Sequence, residues 1–268
     1  MEPTQVVAAA GLNAVVAAAA FYKDAVTLSG ALVGFVTGSV IYVAGAGYWA
    51  VLILFFLSST LFGRLRPSKR TDTERVQAKG GRRDGWQVLA NVAPAAIAAI
   101  VFIHTGATSA IRVYAAVMAA ATADTWSSEI GVLSNTPPVS ILTLKPSLPG
   151  LSGAISTLGL VAGGAGALVA SGFTALTALA TGTPTTEALV VFLIGLGLGV
   201  AGTLIDSLLG AAAQVQYRTS DGMLTERPND PAGVAHTIAR GLPWVTNDVV
   251  NFVTTSSVAL AALLISLF

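Results

Sequence analysis

Long apolar stretches separated by short polar ones run along nearly the whole chain. The stretches at 5–22, 26–45, 47–63, 86–104, 109–133, 153–180, 187–214 and 243–267 each approach the roughly 20 mainly apolar residues that carry an α-helix across a bilayer. They predict an all-α fold, a polytopic integral membrane bundle of about eight transmembrane helices, with seven or nine also compatible with the soft boundaries. The second stretch contains Gly30, Gly34 and Gly38, so it reads either as a close-packed helix or as a broken, re-entrant one. Gly159/Gly163 and Gly195/Gly199 have the small-xxx-small spacing that lets helices approach closely. Residues 5–22 read as a retained helix, because no basic run precedes them and no clear cleavage site follows. The whole chain, 1–268, reads as one membrane domain with two polar loops, 64–85 and 215–242.

Composition agrees with the pattern. The chain is 54% hydrophobic and 10% charged, where soluble domains run at about 25% charged. Eight of the 14 Lys and Arg residues fall between Arg64 and Arg83. Placing that segment in the cytosol by the positive-inside rule also puts 23–25, 134–152 and 215–242 there, and thirteen of the 14 basic residues are then inside. Arg112 alone is left near the other face, where Ala44–Gly47, Thr105–Thr108 and Thr181–Thr186 carry no basic residue. The basic run suits orientation and anionic headgroups; nothing supports nucleic-acid binding. A prokaryotic cytoplasmic membrane is the expected location, and the oligomeric state is not legible.

Ionisable groups inside spans are costly, about 2.5–3.5 kcal/mol at a helix centre on insertion scales, and therefore mark function. Here they gather at the cytosolic ends. The fifth span closes with Asp124-Thr125-Trp126-Ser127-Ser128-Glu129-Ile130-Gly131, and the seventh carries Gly202, Asp206, Gly210 and Gln214 on one face, with Ser207 beside them. The eighth opens with Asn247-Asp248 and Asn251, and the fourth enters through Arg82-Arg83-Asp84, with Gln87 and Asn91 one turn apart. Asp84 is also a plausible helix cap. Glycine-rich turns at Lys79–Asp84 and Lys145–Gly153 offer N–H groups to an anion.

With no cysteine, any metal would be held by oxygen or by His104 and His236; His104, at the opposite face, reads as structural. Carboxylates, hydroxyls and amides beside cationic turns are what a Mg²⁺-bound polyphosphate needs. The residues alone thus lead to phosphoryl or phosphate chemistry at a membrane. A transporter or channel would also carry intramembrane carboxylates, usually near the midplane. There is no G-x-x-x-x-G-K-[ST] phosphate loop, and Asn247-Asp248 lacks the following acid of an Asp-rich prenyltransferase pair.

Leu28-Ser29-Gly30, Arg83 with Gln87-Val88-Leu89-Ala90-Asn91, the Asp124–Gly131 segment, Asp206-Ser207-Leu208-Leu209-Gly210 with Gln214, and Asn247-Asp248 with Asn251-Phe252 together resemble one family. It is the integral-membrane family that includes plant phytyl-phosphate kinase and an uncharacterised eukaryotic transmembrane relative. Val92 stands where that pattern has a glycine, and 215–242 lacks the cysteines some relatives carry.

The resemblance implies an isoprenyl phosphate kinase. It would transfer a phosphoryl group from a nucleoside triphosphate, CTP or another, to an isoprenoid monophosphate such as phytyl or geranylgeranyl phosphate. Asp124, Glu129 and Asp206 are expected around Mg²⁺ or Mn²⁺, and Asp84 with them in catalysis at the rim. Arg82, Arg83 and Lys145 are expected on phosphates, and Gln87, Asn91, Ser128, Ser207, Asn247, Asp248 and Asn251 on substrate or nucleotide. A lipid-phosphate cytidylyltransferase, or another CTP-using transferase, would use the same groups.

Overall fold

The computed structural model describes residues 3–64, 76–78 and 81–268. Among these, eight long helices stand at the eight expected places: α1 Pro3–Tyr22, α2 Leu28–Ala44, α3 Ala46–Arg64, α4 Gly85–Thr105, α5 Thr108–Gly131, α6 Thr157–Ala180, α7 Thr185–Ala212 and α8 Asn247–Ile265. All but α2 and α5 are long and apolar enough to cross a membrane; α2 is apolar but has 17 residues. It runs unbroken through Gly30, Gly34 and Gly38, so it is a close-packed helix and not a re-entrant one. Most of the basic run, Arg66 to Arg75 and Lys79, lies outside the described residues.

The weaker hydropathy of α5 follows from its position. It packs against α3, α4, α6, α7 and α8, and those neighbours close a ring around it, with α2 bridging α3 and α4 and α1 outside on α2. Twelve of its residues are buried, most of them alanines between Ala110 and Ala123. A helix walled by protein needs small side chains more than lipid-facing bulk. The facing helices supply glycines in turn. A Cβ at Gly163 or Gly166 of α6 would meet the α5 backbone at 3.2 or 3.0 Å, and one at Gly199 or Gly202 of α7 would meet Ala119 or Ala120 at 2.8 or 2.7 Å. The close-packing expectation for these spacings holds, and the contact fixes the height and rotation of the residues at the far end of α5.

The connections between helices are unequal at the two ends. One end has only Gly45, 106–107 and 181–184; the other has 23–27, 65–84, 132–156 and 213–246. Two small sheets stiffen the long connections, β1 Val139–Ser140 with β2 Ala154–Ile155, and β3 Gln216–Arg218 between β4 Leu224–Thr225 and β5 Thr237–Arg240.

At the end with short connections Arg112 is not alone: its Nη2 donates to Glu187 Oε2 across α5 and α7 at 2.5 Å. Glu187→Gln is expected to leave that guanidinium without its counter-charge in a half-buried position. The cost should be about 1–3 kcal/mol, read as a lowered melting temperature of the purified protein.

Candidate functional site

The first piece of the site is the backbone of Arg83. Its N–H donates to Ala25 O at 3.0 Å and its carbonyl accepts from Thr27 N at 2.9 Å, so it forms a short bridge with the α1–α2 turn. Gly30 makes this possible, because a Cβ there would sit 2.3 Å from the Arg83 carbonyl oxygen. Held this way, the Arg83 side chain donates to Thr60 Oγ1 at 3.1 Å, lies 6.0 Å from the Phe56 ring centroid, and feels the charge of Glu129. Burial pulls the guanidinium below its ordinary value, and Glu129 opposes that shift. Next to it, Asp84 and Gln87 form a reciprocal capping box at the start of α4, with Asp84 Oδ1 accepting from Gln87 N at 2.9 Å.

Two aspartates of the bundle are tied to neighbouring helices by threonines. Asp124 accepts from Thr203 of α7 at 3.5 Å, and Asp206 of α7 accepts from Thr254 of α8 at 3.3 Å. The charges of the two carboxylates interact.

Arg83, both aspartates and the surrounding loops enclose one cavity of about 850 Å³ at the end of the bundle with long connections. That lies within the range of about 300–1,000 Å³ typical of small-molecule and cofactor sites. Gln87 and Asn91 line it from α4, Asp124, Thr125, Ser128 and Glu129 from α5, Asp206 and Ser207 from α7, and Asn247, Asp248 and Asn251 from α8. Among the described residues its charged lining is Arg83 against Asp124, Glu129, Asp206, Glu226 and Asp248. Ionised carboxylates in such a wall would repel a bare polyanion.

Residues 11–259 match the family described as Integral membrane protein DUF92. The chain belongs to that family. It is 29% identical to Protein PGR of Arabidopsis thaliana over 90% of this chain and 89% of the relative. It is 32% identical to an uncharacterized membrane protein of Methanocaldococcus jannaschii over 69% of this chain and 71% of the relative. No solved structure matches.

In this DUF92 chain several expected site residues fall elsewhere. Asp84 and Arg82 do not line the cavity. Asp84 caps α4, and Arg82 ties down the α1–α2 turn by pairing with Asp24 at 3.1 Å, donating to Val26 O and lying over Phe21. Lys145 is exposed on a hairpin and also stands outside the lining. Asp124, Glu129 and Asp206 do not gather as a three-carboxylate metal cluster, since no such group occurs among the described residues. Glu129 lies toward Gly63 of α3 and Arg83, while the two aspartates are bonded to Thr203 and Thr254.

One carboxylate of the cavity wall was not legible in the sequence: Glu226. It lines the cavity from the β4–β5 connection and is buried. Its backbone N–H donates to Val76 O at 2.7 Å and its Oε1 accepts from Ser152 N at 2.8 Å. The N–H at Ser152, in the glycine-rich turn expected to receive an anion, is thus already taken by a carboxylate of the protein. Glu226 sits in a polar loop with no periodicity, so no spacing signals it.

Burial raises the Glu226 carboxyl above its ordinary value, although the Ser152 hydrogen bond opposes the shift. The folded state then binds the proton more tightly than the unfolded chain. This group's contribution is complete below the unfolded value and is lost as pH rises through the folded one. Glu226→Gln, which keeps an acceptor for Ser152, is expected to gain in melting temperature relative to the parent as pH is raised from about 4 to 8.

Proposed function

We propose that this DUF92 protein is a membrane kinase that converts an isoprenoid monophosphate, such as phytyl or geranylgeranyl phosphate, to the diphosphate at the expense of a nucleoside triphosphate. The reading is supported chiefly by one observation: an acid-lined cavity of nucleotide size at one end of a membrane bundle, with the desolvated Arg83 in its wall. The resemblance to the family that includes phytyl-phosphate kinase supports it further.

In the reaction an oxygen of the acceptor phosphate bonds to the terminal phosphorus of the nucleotide, the bond from that phosphorus to the bridging oxygen breaks, and a nucleoside diphosphate leaves. The acceptor is already anionic and needs no strong base, so catalysis rests on alignment and on charge. Arg83, pre-set by its bridge to the α1–α2 turn, would bind phosphate oxygens. Gln87, Asn91, Asn247 and Asn251 would orient the nucleotide and the lipid phosphate, with Ser128, Ser207 and Asp248 beside them.

The donor set fits a hard divalent cation. Asp124 and Asp206 would hold Mg²⁺ or Mn²⁺, with phosphate oxygens completing the shell, which is the usual habit of Mg²⁺ at nucleotide sites. Bound there, the metal would neutralise charge on the transferring phosphoryl group. The positive-inside rule turns this end toward the cytosol, where nucleotides are, and a prokaryotic cytoplasmic membrane is the setting we propose.

Incubating the purified protein with geranylgeranyl or phytyl monophosphate, Mg²⁺ and each nucleoside triphosphate, with mass analysis of products, is expected to give lipid diphosphate and nucleoside diphosphate. A nucleotidyl-lipid with pyrophosphate would identify a cytidylyltransferase-type reaction instead. No turnover with any pair would reject both and leave transport.

A further inference from the structure

The connection between α5 and α6 differs from the other long ones in its chemistry. Residues 132–156 contain Lys145 and no other charged residue, whereas 213–246 carries six. Its outer part is a tight hairpin in which Ser140 N donates to Lys145 O at 2.9 Å and Leu144 N donates to Ser140 O at 2.8 Å. Leu144 closes that turn at φ 56°, in the left-handed region that bulky residues seldom adopt. Leu151, at the base of the hairpin, is buried, yet the tip turns Leu142 and Leu144 outward with 50% and 71% of their surface exposed. The turn thus holds Leu144 in an unfavoured conformation with its side chain exposed beside that of Leu142.

We propose that the Ile141–Lys145 tip is a lipid-binding loop. It seats Leu142 and Leu144 at the headgroup–acyl boundary of the leaflet on the cavity's side of the membrane, with Lys145 on anionic headgroups. Three observations select a lipid surface as the occupant. The hairpin lies in the connection between two helices of a membrane bundle. Trp86 in the first turn of α4 and Trp244 just before α8 are 73% and 68% exposed at this same end, as side chains at the headgroup level are. Finally, the connection has no acid to repel an anionic surface. The same connection supplies Asn135, Thr136 and Ser147 to the cavity wall, so anchoring the tip sets the cavity mouth at the level of the headgroups. The proposal concerns the surface alone and stands apart from the reaction assigned above.

Because the chain has no cysteine, single labels are clean. Leu144→Cys and, separately, Leu142→Cys would carry an environment-sensitive fluorophore in the full-length protein, reconstituted in phosphatidylcholine vesicles with and without phosphatidylglycerol. Ala232→Cys, exposed on the other long connection, is the water reference. Both tip labels are expected to emit further to the blue than the reference. Their quenching by lipids spin-labelled near the glycerol should be at least about twofold stronger, and their quenching by aqueous iodide weaker. Lys145→Gln should reduce the added lipid quenching that phosphatidylglycerol brings. Tip labels quenched by iodide as the reference is, or shielded from both quenchers as by a protein partner, would overturn the proposal.

Discussion

Asp206→Asn is expected to yield a folded bundle that transfers phosphoryl groups about 10²–10³-fold more slowly than the parent. Asparagine has the same shape and keeps an oxygen that accepts from Thr254, so the link between α7 and α8 survives. The substitution also relieves the unfavourable interaction between the Asp206 and Asp124 carboxylates, which line one cavity. Stability should therefore hold or rise while activity falls. Opposite movement of melting temperature and rate is the signature of a group kept for chemistry at a cost in stability. Equal loss of both would make Asp206 a structural residue, and near-normal turnover would remove it from the mechanism.

Gly30→Ala should be strongly damaging although Gly30 itself does not line the cavity. Its Cβ would fall 2.3 Å from a backbone oxygen, that of Arg83, which the Ala25 and Thr27 hydrogen bonds prevent from yielding. Relief requires the bridge to open, at a cost of about 1–3 kcal/mol, and it moves Arg83, which lines the cavity. Transfer is expected to fall toward the level of Arg83→Gln. Gly34→Ala, one turn further along α2, has nothing within 4 Å of the new methyl group. It should be neutral or slightly stabilising, since alanine is the better helix former. Purified protein melts and rates for the pair separate the contact from any general intolerance of α2.

The helices were legible because a bilayer leaves few options: an apolar run of the right length must be helical, and basic residues sort its ends. Asp124 and Asp206 were legible for the same reason, as carboxylates where carboxylates are expensive. The central place of α5 was not read, although its alanines mark it, because an apolar run looks alike whether its neighbours are lipid or protein. Arg82 and Arg83 are adjacent in sequence, yet one ties a turn and the other enters the cavity. That division is set by the bridge to residues 25–27, more than fifty positions away. Asp84 satisfied two readings at once, and the structure shows the cap. Lys145 was read from its glycine-rich neighbourhood, which describes the backbone but not the direction of a side chain. Glu226 became visible only when three connections met around it.

The central claim is that the Asp124–Asp206 cavity passes a terminal phosphoryl group to a lipid phosphate. Its most direct test follows label from the terminal phosphate of the nucleotide into the membrane fraction, using the purified protein with geranylgeranyl monophosphate and Mg²⁺, beside Asp206→Asn. Label recovered in lipid diphosphate with the parent protein, and about 10²-fold less with the variant, is the result the account predicts. Label that stays with the nucleotide or is released as pyrophosphate, or that reaches lipid equally with both proteins, would contradict it.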